Sequence, residues 1–261
     1  MRYLCGDITG AIVDRYLYTD AVDPGAKGHA KTFPTFCVGG TECLMITRAD
    51  AVCWMVYCHG NAVTLHDLFN SGVAHAIADT CKCNFVAPAY PGKRSLGQAH
   101  DKAVVDAALV AYERLCEDSP LPVYLAGRSL GVGVVLGVCA CARHQPAGLL
   151  MLSGFSSVRN MTQWSLLRCI IADRYNNAAA LALKDVSSVP KLIVHGTDDV
   201  LVPMEHALAL DAAGSNVNLH IIEGMGHSPD VHWPEVYNLF RQFTACNTQK
   251  YTDPPVYPAW C

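Results

Sequence analysis

The hydrophobic positions of this chain fall into two alternating kinds of segment. Short runs are apolar at nearly every position, and longer stretches carry apolar residues at helical spacing. Continuous apolar runs are typical of parallel strands, because helices cover both faces of such a sheet. The runs are 51–58, 83–88, 122–127, 148–153, 191–196 and 218–224. The pattern predicts an α/β fold with a mostly parallel central sheet and helices on both faces.

The segments between these runs supply the predicted helices and the boundaries of the domain. The helices are 62–79, 98–117, 130–143, 203–213 and 230–245. The first fifty residues are less periodic and predict antiparallel edge strands. Residues 153–189 interrupt the alternation, so we expect a short cap there, and the proline-containing residues 249–261 predict a surface tail. Residues 1–261 are therefore expected to form a single domain.

Composition narrows the classes of function. The 19 basic and 23 acidic side chains give a formal charge of -4, which leaves no basic surplus for nucleic acid. No apolar run reaches the roughly 20 residues of a membrane span. We expect the 13 cysteines to be reduced thiols of a cytoplasmic protein. The Cys-x-Cys pairs at 81–83 and 139–141 have the wrong spacing for zinc, so no metal or cofactor is expected.

One serine has the sequence context of a nucleophile. Residues 127–131 read "GRSLG", a Gly-x-Ser-x-Gly pattern between a predicted strand and a predicted helix. In such a turn the glycines avoid collisions, and the serine takes a strained conformation that exposes its oxygen. Ser129 is therefore the candidate nucleophile. By itself the pattern also fits an ordinary strand–helix turn, so the other parts of a site must lie elsewhere in the chain.

A nucleophilic serine needs a general base and a carboxylate that orients it. Of the eleven histidines, His227 lies in the glycine-containing loop "EGMGHSPD" after the last predicted strand. Its nearest rival, His232, falls inside or at the start of the following helix, and His206 has the pattern of a surface or strand position. The loop "HGTDDVLVP" supplies Asp198 and Asp199. The chain order of serine, acid and histidine is that of one particular fold.

An oxyanion needs preorganised N–H groups. One is expected from Leu130, directly after the serine, and the other from Asn61 in "YCHGNAVTLHD" after the run 51–58. Gly60 would let the backbone turn so that the N–H of Asn61 points inward. We expect His59 to form a structural hydrogen bond rather than to act as a second base.

Taken together, residues 50–245 resemble the α/β-hydrolases. "HGNAVTL", "GRSLG" and "HGTDDVLVP" are similar to motifs of the bud-emergence-like proteins and of the α/β-hydrolase-domain depalmitoylases, which are often labelled prolyl-oligopeptidase-like serine peptidases. The resemblance implies the α/β-hydrolase fold, and the His-Gly-x-x-Asp arrangement favours Asp199 as the acid. The chain departs in having Cys5 alone where the depalmitoylases carry a cysteine cluster, and Ala89 where relatives commonly carry aspartate.

The expected function is cleavage of an ester or thioester, in a small molecule or an acylated protein, through an acyl-enzyme. The short cap implies an open cleft lined by Phe155, Met161 and Trp164, unless these residues serve as core packing. A serine peptidase of the prolyl-oligopeptidase-like group is the alternative enzyme, and a non-catalytic binding protein is the alternative of another class. Peripheral membrane contact and the oligomeric state stay open.

Arg128 stands directly before the candidate nucleophile. We expect its side chain to point away from Ser129 and to be held by a carboxylate or by carbonyls. A guanidinium in the cleft would instead indicate an acidic substrate.

Overall fold

An eight-stranded sheet lies at the centre of the computed structural model, which describes residues 34–38, 40–61, 63–91, 98–161 and 173–252. The strands are β1 (Thr35–Val38), β2 (Thr41–Ile46), β3 (Cys53–Cys58), β4 (Cys83–Pro88), β5 (Val123–Arg128), β6 (Gly148–Leu152), β7 (Lys191–Gly196) and β8 (Val217–Ile222). Their order across the sheet is β1-β2-β4-β3-β5-β6-β7-β8. Strands β1 and β2 are antiparallel, and the other six are parallel. The predicted mostly parallel sheet is confirmed.

Helices connect the parallel strands. They are α1 (Leu65–Asn70), α2 (Val73–Cys81), α3 (Gln98–Asp118), α4 (Leu130–Cys141), α5 (Val158–Met161), α6 (Asn177–Leu181), α7 (Lys184–Ser187), α8 (Glu205–Ala213) and α9 (Trp233–Thr252), with a 3-10 turn at Asp230–His232. The single helix predicted over 62–79 is wrong. Gly72, at φ 75°, ends the first helix and begins a second one, since glycine takes this left-handed conformation without strain.

Both faces of the sheet are buried along its central strands β3 to β7, as their mainly apolar sequences require. In β5, Leu125 packs against one face together with α3 and α4, and the neighbouring Tyr124 packs against the other face together with α2 and α9. Several cysteines serve as small core residues, as expected, namely Cys43, Cys53, Cys58, Cys81, Cys83 and Cys139. Cys139 is buried and Cys141 is exposed, so this Cys-x-Cys pair diverges.

The predicted cap is described at residues 153–161 and 173–189. Arg174, almost fully buried, joins it to α3 by donating from Nε and Nη2 to the carboxylate of Asp101, at 2.6 and 2.5 Å. A bidentate pair of this kind fixes orientation as well as distance. Helix α9 extends to Thr252, so the first four residues of the predicted tail are helical, and residues 253–261 lie outside the described residues.

Candidate active site

The turn between β5 and α4 holds Ser129 in a strained conformation. Its φ of 53° lies in the region that side chains other than glycine rarely adopt. The turn is tightly packed, because a Cβ on Gly131 would overlap the carbonyl group of Cys58, and one on Gly127 would overlap that of Gly131. The N–H of Ser129 donates to the carbonyl of Leu152 at 2.9 Å. A side chain at position 127 or 131 would collide with backbone, and this explains the two glycines of the motif.

His227 lies within hydrogen-bond distance of that serine. Its Nε2 is 3.1 Å from the hydroxyl oxygen of Ser129, and its Nδ1 is 2.8 Å from a carboxylate oxygen of Asp199. A carboxylate can only accept, so Nδ1 is assigned as the protonated nitrogen and Nε2 as the acceptor for the serine proton. His232, the rival histidine, ends the 3-10 turn that follows this loop.

Asp199 is the acid that the structure brings to His227. Its side chain has no exposed surface, and its other carboxylate oxygen accepts from the N–H groups of Leu201 and Val202 at 3.0 and 2.8 Å. Burial alone would raise the pKa of Asp199, but the bonds from His227 and Val202 and the nearby histidines outweigh it and hold that pKa below its ordinary value. The carboxylate therefore stays charged beside the imidazole.

A second buried histidine lies under the acid, and sequence reasoning missed it. His195 has no exposed surface, and its Nε2 donates to the carbonyl of Val202 at 2.7 Å while lying 3.4 Å from the carboxylate of Asp199. Its Nδ1 is buried without a partner. Burial lowers the pKa of His195, so the ring is neutral. The signal available in the sequence was its place in "HGTDD", one turn before the acid.

The loop after β3 lies against the serine turn. A Cβ on Gly60 would be 3.5 Å from the Cβ of Ser129, and Asn61 follows in a turn, half-buried. His59 is buried, stacks on Tyr90 with ring centroids 4.0 Å apart, and has Nδ1 3.0 Å from the carbonyl of Gly60. Tyr90 donates to the carbonyl of His59 at 2.8 Å. The predicted structural role of His59 is confirmed by these contacts.

Of the three predicted substrate-binding residues, two lie in the described part of the chain, one buried and one half-buried. Phe155 is buried in a small apolar cluster with Leu130, Val158 and Val202, and Met161 packs partly against it. This is the arrangement of core packing, and a substrate contact at these residues stays a prediction. Trp164 lies outside the described residues.

His206 corrects another expectation. It was expected at a surface or strand position, yet it is buried in the helix α8, and its Nδ1 accepts from the N–H of Ser156 at 3.2 Å. The reason is that the segment after β6 packs across the start of α8. His206 thereby holds the residue that follows Phe155.

A backbone carbonyl holds Arg128, which is one of the two kinds of partner expected from the sequence. Its Nη2 donates to the carbonyl of His227 and to the hydroxyl of Ser228, both at 3.2 Å. Arg128 is the last residue of β5 and, like Ala126 and Tyr124 two and four positions earlier, faces the side of the sheet that α9 covers.

Comparison with known proteins decides the fold. None of the known protein-family models matches the chain. A crystal structure of an esterase/lipase from an uncultured bacterium superposes with a TM-score of 0.65 at 17% identity, covering 94% of this chain and 91% of that one. EstE5, in a crystal soaked with p-nitrophenyl butyrate, superposes at 0.62 with 17% identity and 94% and 91% coverage. The fold is the α/β-hydrolase fold.

The amino-acid sequence is also similar to α/β-hydrolases from vertebrates. Alpha/beta hydrolase domain-containing protein 17B of Xenopus laevis is 27% identical over 196 residues, which are 73% of this chain and 66% of that protein. The human protein 17B is 26% identical over 196 residues, with the same coverage. The chain thus spans slightly less than two thirds of the length of these relatives.

Two further features of this α/β-hydrolase fold concern metals and membranes. Among the residues that the structure describes, no group of three or more histidine, cysteine and acidic side chains is arranged to hold a metal ion. Within the same part of the chain, no helix combines the length and apolar character needed to cross a membrane.

Proposed function

We propose that this α/β-hydrolase is a serine hydrolase that cleaves an ester or thioester through an acyl-enzyme. The observation that carries the proposal is the position of His227, whose ring nitrogens lie 3.1 Å from the Ser129 hydroxyl and 2.8 Å from the Asp199 carboxylate. A nucleophile within reach of a base that a third group orients is the arrangement that activates serine. These residues come from three different loops, so an accidental meeting is a poor explanation.

In the proposed mechanism, Nε2 of His227 takes the proton of Ser129 as the hydroxyl oxygen attacks the substrate carbonyl. Asp199 holds the ring in the required tautomer and stabilises the imidazolium. The N–H of Leu130 belongs to the first turn of α4, whose N–H groups have no acceptor within the helix. Together with the N–H of Asn61 it would bind the oxyanion. His227 then protonates the leaving group, and water repeats the sequence to release the acid.

The proposed substrate class is an ester or thioester of a small molecule or of an acylated protein. The relatives are named only as hydrolase-domain proteins, but EstE5 was soaked with p-nitrophenyl butyrate, a short activated ester. The motifs that resemble those of the depalmitoylases also favour a thioester as substrate. A panel of p-nitrophenyl esters, acyl thioesters and aminoacyl amides would separate the three chemistries, and fast cleavage of the amides alone would indicate a peptidase instead.

The direct test is substitution of the nucleophile. Ser129→Ala should lower kcat for p-nitrophenyl butyrate at least about a thousandfold and abolish labelling by a fluorophosphonate, with folding intact by circular dichroism. His227→Gln should have a similar effect, and His232→Gln serves as its matched control. A wild-type chain that neither labels nor turns over any member of the panel would support the non-catalytic alternative.

A further inference from the structure

The side chain of Arg128 connects two loops whose relative position the proposed mechanism requires to be fixed. Arg128 is the last residue of β5 and directly precedes Ser129. Its Nη2 donates to the backbone carbonyl of His227, 99 residues further along the chain, at 3.2 Å. The same nitrogen is 3.2 Å from the hydroxyl of Ser228. The residue beside the nucleophile therefore contacts the backbone of the base itself.

The loop that carries His227 needs such a contact. Met225 is fully buried, and its carbonyl accepts from the N–H of Asp198 at 3.1 Å, so the loop is fixed at that point. The chain then passes through Gly226, which has the greatest backbone freedom of any residue type, before His227. Ser228 is exposed to solvent. The hydrogen bond to the carbonyl of His227 restricts the three residues between buried Met225 and buried Pro229, which precedes the 3-10 turn at Asp230–His232.

A guanidinium at position 128 also has a cost in the stability of the fold. Its Nε is buried without a hydrogen-bond partner, and within the described part of the chain its guanidinium takes part in no ion pair. Removing a donor of a charged group from water without a partner costs stability. An apolar side chain on this face would avoid that cost, as Tyr124 and Ala126 show by packing in the apolar cluster there. The fold alone gives no reason for a guanidinium.

From these contacts we infer that Arg128 is a positioning residue, which fixes His227 relative to Ser129 through the carbonyl of the histidine. The inference rests on the proposed function for its effect on the rate. Because Arg128 and Ser129 are consecutive in the chain, a movement of the serine turn would also move the guanidinium that holds His227. Loss of the contact would let the imidazole shift from the serine, and a displacement of about 1 Å can cost on the order of a hundredfold in rate.

Arg128→Met removes the donor and keeps much of the side-chain volume. We expect kcat for p-nitrophenyl butyrate to fall about ten- to a hundredfold, with KM within about threefold of wild type, after each preparation is normalised by burst titration of active serine. Arg143→Met is the matched control, because Arg143 is an exposed arginine at the far end of α4 that pairs with Glu113 and Glu117. It should retain wild-type kcat.

Two additional measurements separate positioning from a merely structural role. Methylguanidinium should restore kcat of Arg128→Ala in a saturable way, whereas methylammonium should not, because only the former reproduces the planar donor. Hydrogen–deuterium exchange should be faster in residues 223–231 of Arg128→Met and unchanged there in Arg143→Met. Lowered Tm with wild-type kcat per active serine and wild-type exchange in that loop would overturn the inference.

The exchange measurement also distinguishes this inference from the proposed function. If the wild-type chain labels with a fluorophosphonate and hydrolyses the ester while Arg128→Met behaves like wild type, only the positioning role fails. If the wild-type chain is inactive but Arg128→Met frees residues 223–231, the contact holds the loop as inferred, and the proposed function fails instead.

Discussion

Asp198 and Asp199 are neighbours in the chain, yet only Asp199 has its carboxylate buried against His227. The side chain of Asp198 is exposed and accepts a hydrogen bond from the hydroxyl of Thr197 at 2.8 Å. The Asp199 carboxylate has no exposed surface and lies 2.8 Å from Nδ1 of His227. Two acidic residues that are alike in sequence therefore have separate surroundings, which makes a matched pair of variants informative.

Asp199→Asn should lower kcat by about a thousand- to ten-thousandfold, because an amide cannot hold the histidine in the tautomer that accepts from serine. Asp198→Asn should leave kcat within about twofold, as expected for a surface change. Steady-state kinetics on p-nitrophenyl butyrate measure both effects. A large loss in Asp198→Asn with none in Asp199→Asn would reverse the assignment of the acid.

The contact between Tyr90 and His59 predicts an effect on the loop after β3, which carries Asn61. Tyr90→Phe keeps the stacked ring but loses the hydrogen bond to the carbonyl of His59. We expect a loss of about 1 kcal/mol in stability and a fall in kcat larger than the change in KM. Tyr112→Phe is the control, since its hydroxyl donates to the carbonyl of His144 at 2.9 Å, on a different part of the fold. It should lose similar stability and keep kcat.

Close packing at the serine turn predicts a contrast between two glycines. Gly131→Ala places a methyl group on the carbonyl of Cys58, with backbone on both sides, so we expect about 3 kcal/mol or more of destabilisation. Gly60→Ala meets its nearest atoms at 3.5 Å, an ordinary contact, and should fold normally. Denaturant unfolding of the two variants measures the difference. Equal free energies of unfolding for the two variants would mean that the turn can widen to accommodate the methyl group.

His59, the buried histidine of the loop after β3, predicts a pH dependence of stability. Burial lowers the pKa of His59 to about 4, although its hydrogen bond with Gly60 opposes the shift. In the unfolded chain the ring gains a proton near pH 6.5, so stability should fall by about 1.4 kcal/mol per pH unit between pH 6.5 and about 4 from this residue. His195, whose pKa is also lowered, adds in the same direction.

His59→Gln should remove its part of that slope and leave the part due to His195. Urea unfolding at several values of pH would give the free energy of unfolding for wild type and variant. A difference between them that stays constant from pH 7 to 4 would show that His59 becomes protonated in the folded state.

The sequence predicted the sheet well because its strands carry their own signal. Residues 191–196 and 83–88 are mainly apolar without a polar alternation, and the strands found there have those bounds. The helix boundaries were less predictable. The break at Gly72 follows from the left-handed conformation of that one glycine, and α9 continues to Thr252 past its predicted end; a periodic pattern encodes neither.

The meeting of residues in the candidate site was predictable where a motif combined a residue type with a strand end, as for Ser129 and His227. Asp199 needed a resemblance to known enzymes, because periodicity does not distinguish it from Asp198. The roles of His195 and His206 were missed since each depends on a contact across the fold, with Val202 and with Ser156. Such contacts follow from the order of strands in the sheet, which no local pattern specifies.

Helix α4 has Ser129 before its first residue and Cys141 as its last, and the thiol of Cys141 is exposed. At 1.5 Å per residue the two are about 18 Å apart along the helix. To couple at Cys141 to a maleimide support, the other accessible cysteines of the described part, Cys37, Cys116 and Cys246, and those outside it, Cys5, Cys169 and Cys261, would be replaced by serine. The immobilised protein would then present its serine turn to the solution, oriented by the axis of a single helix.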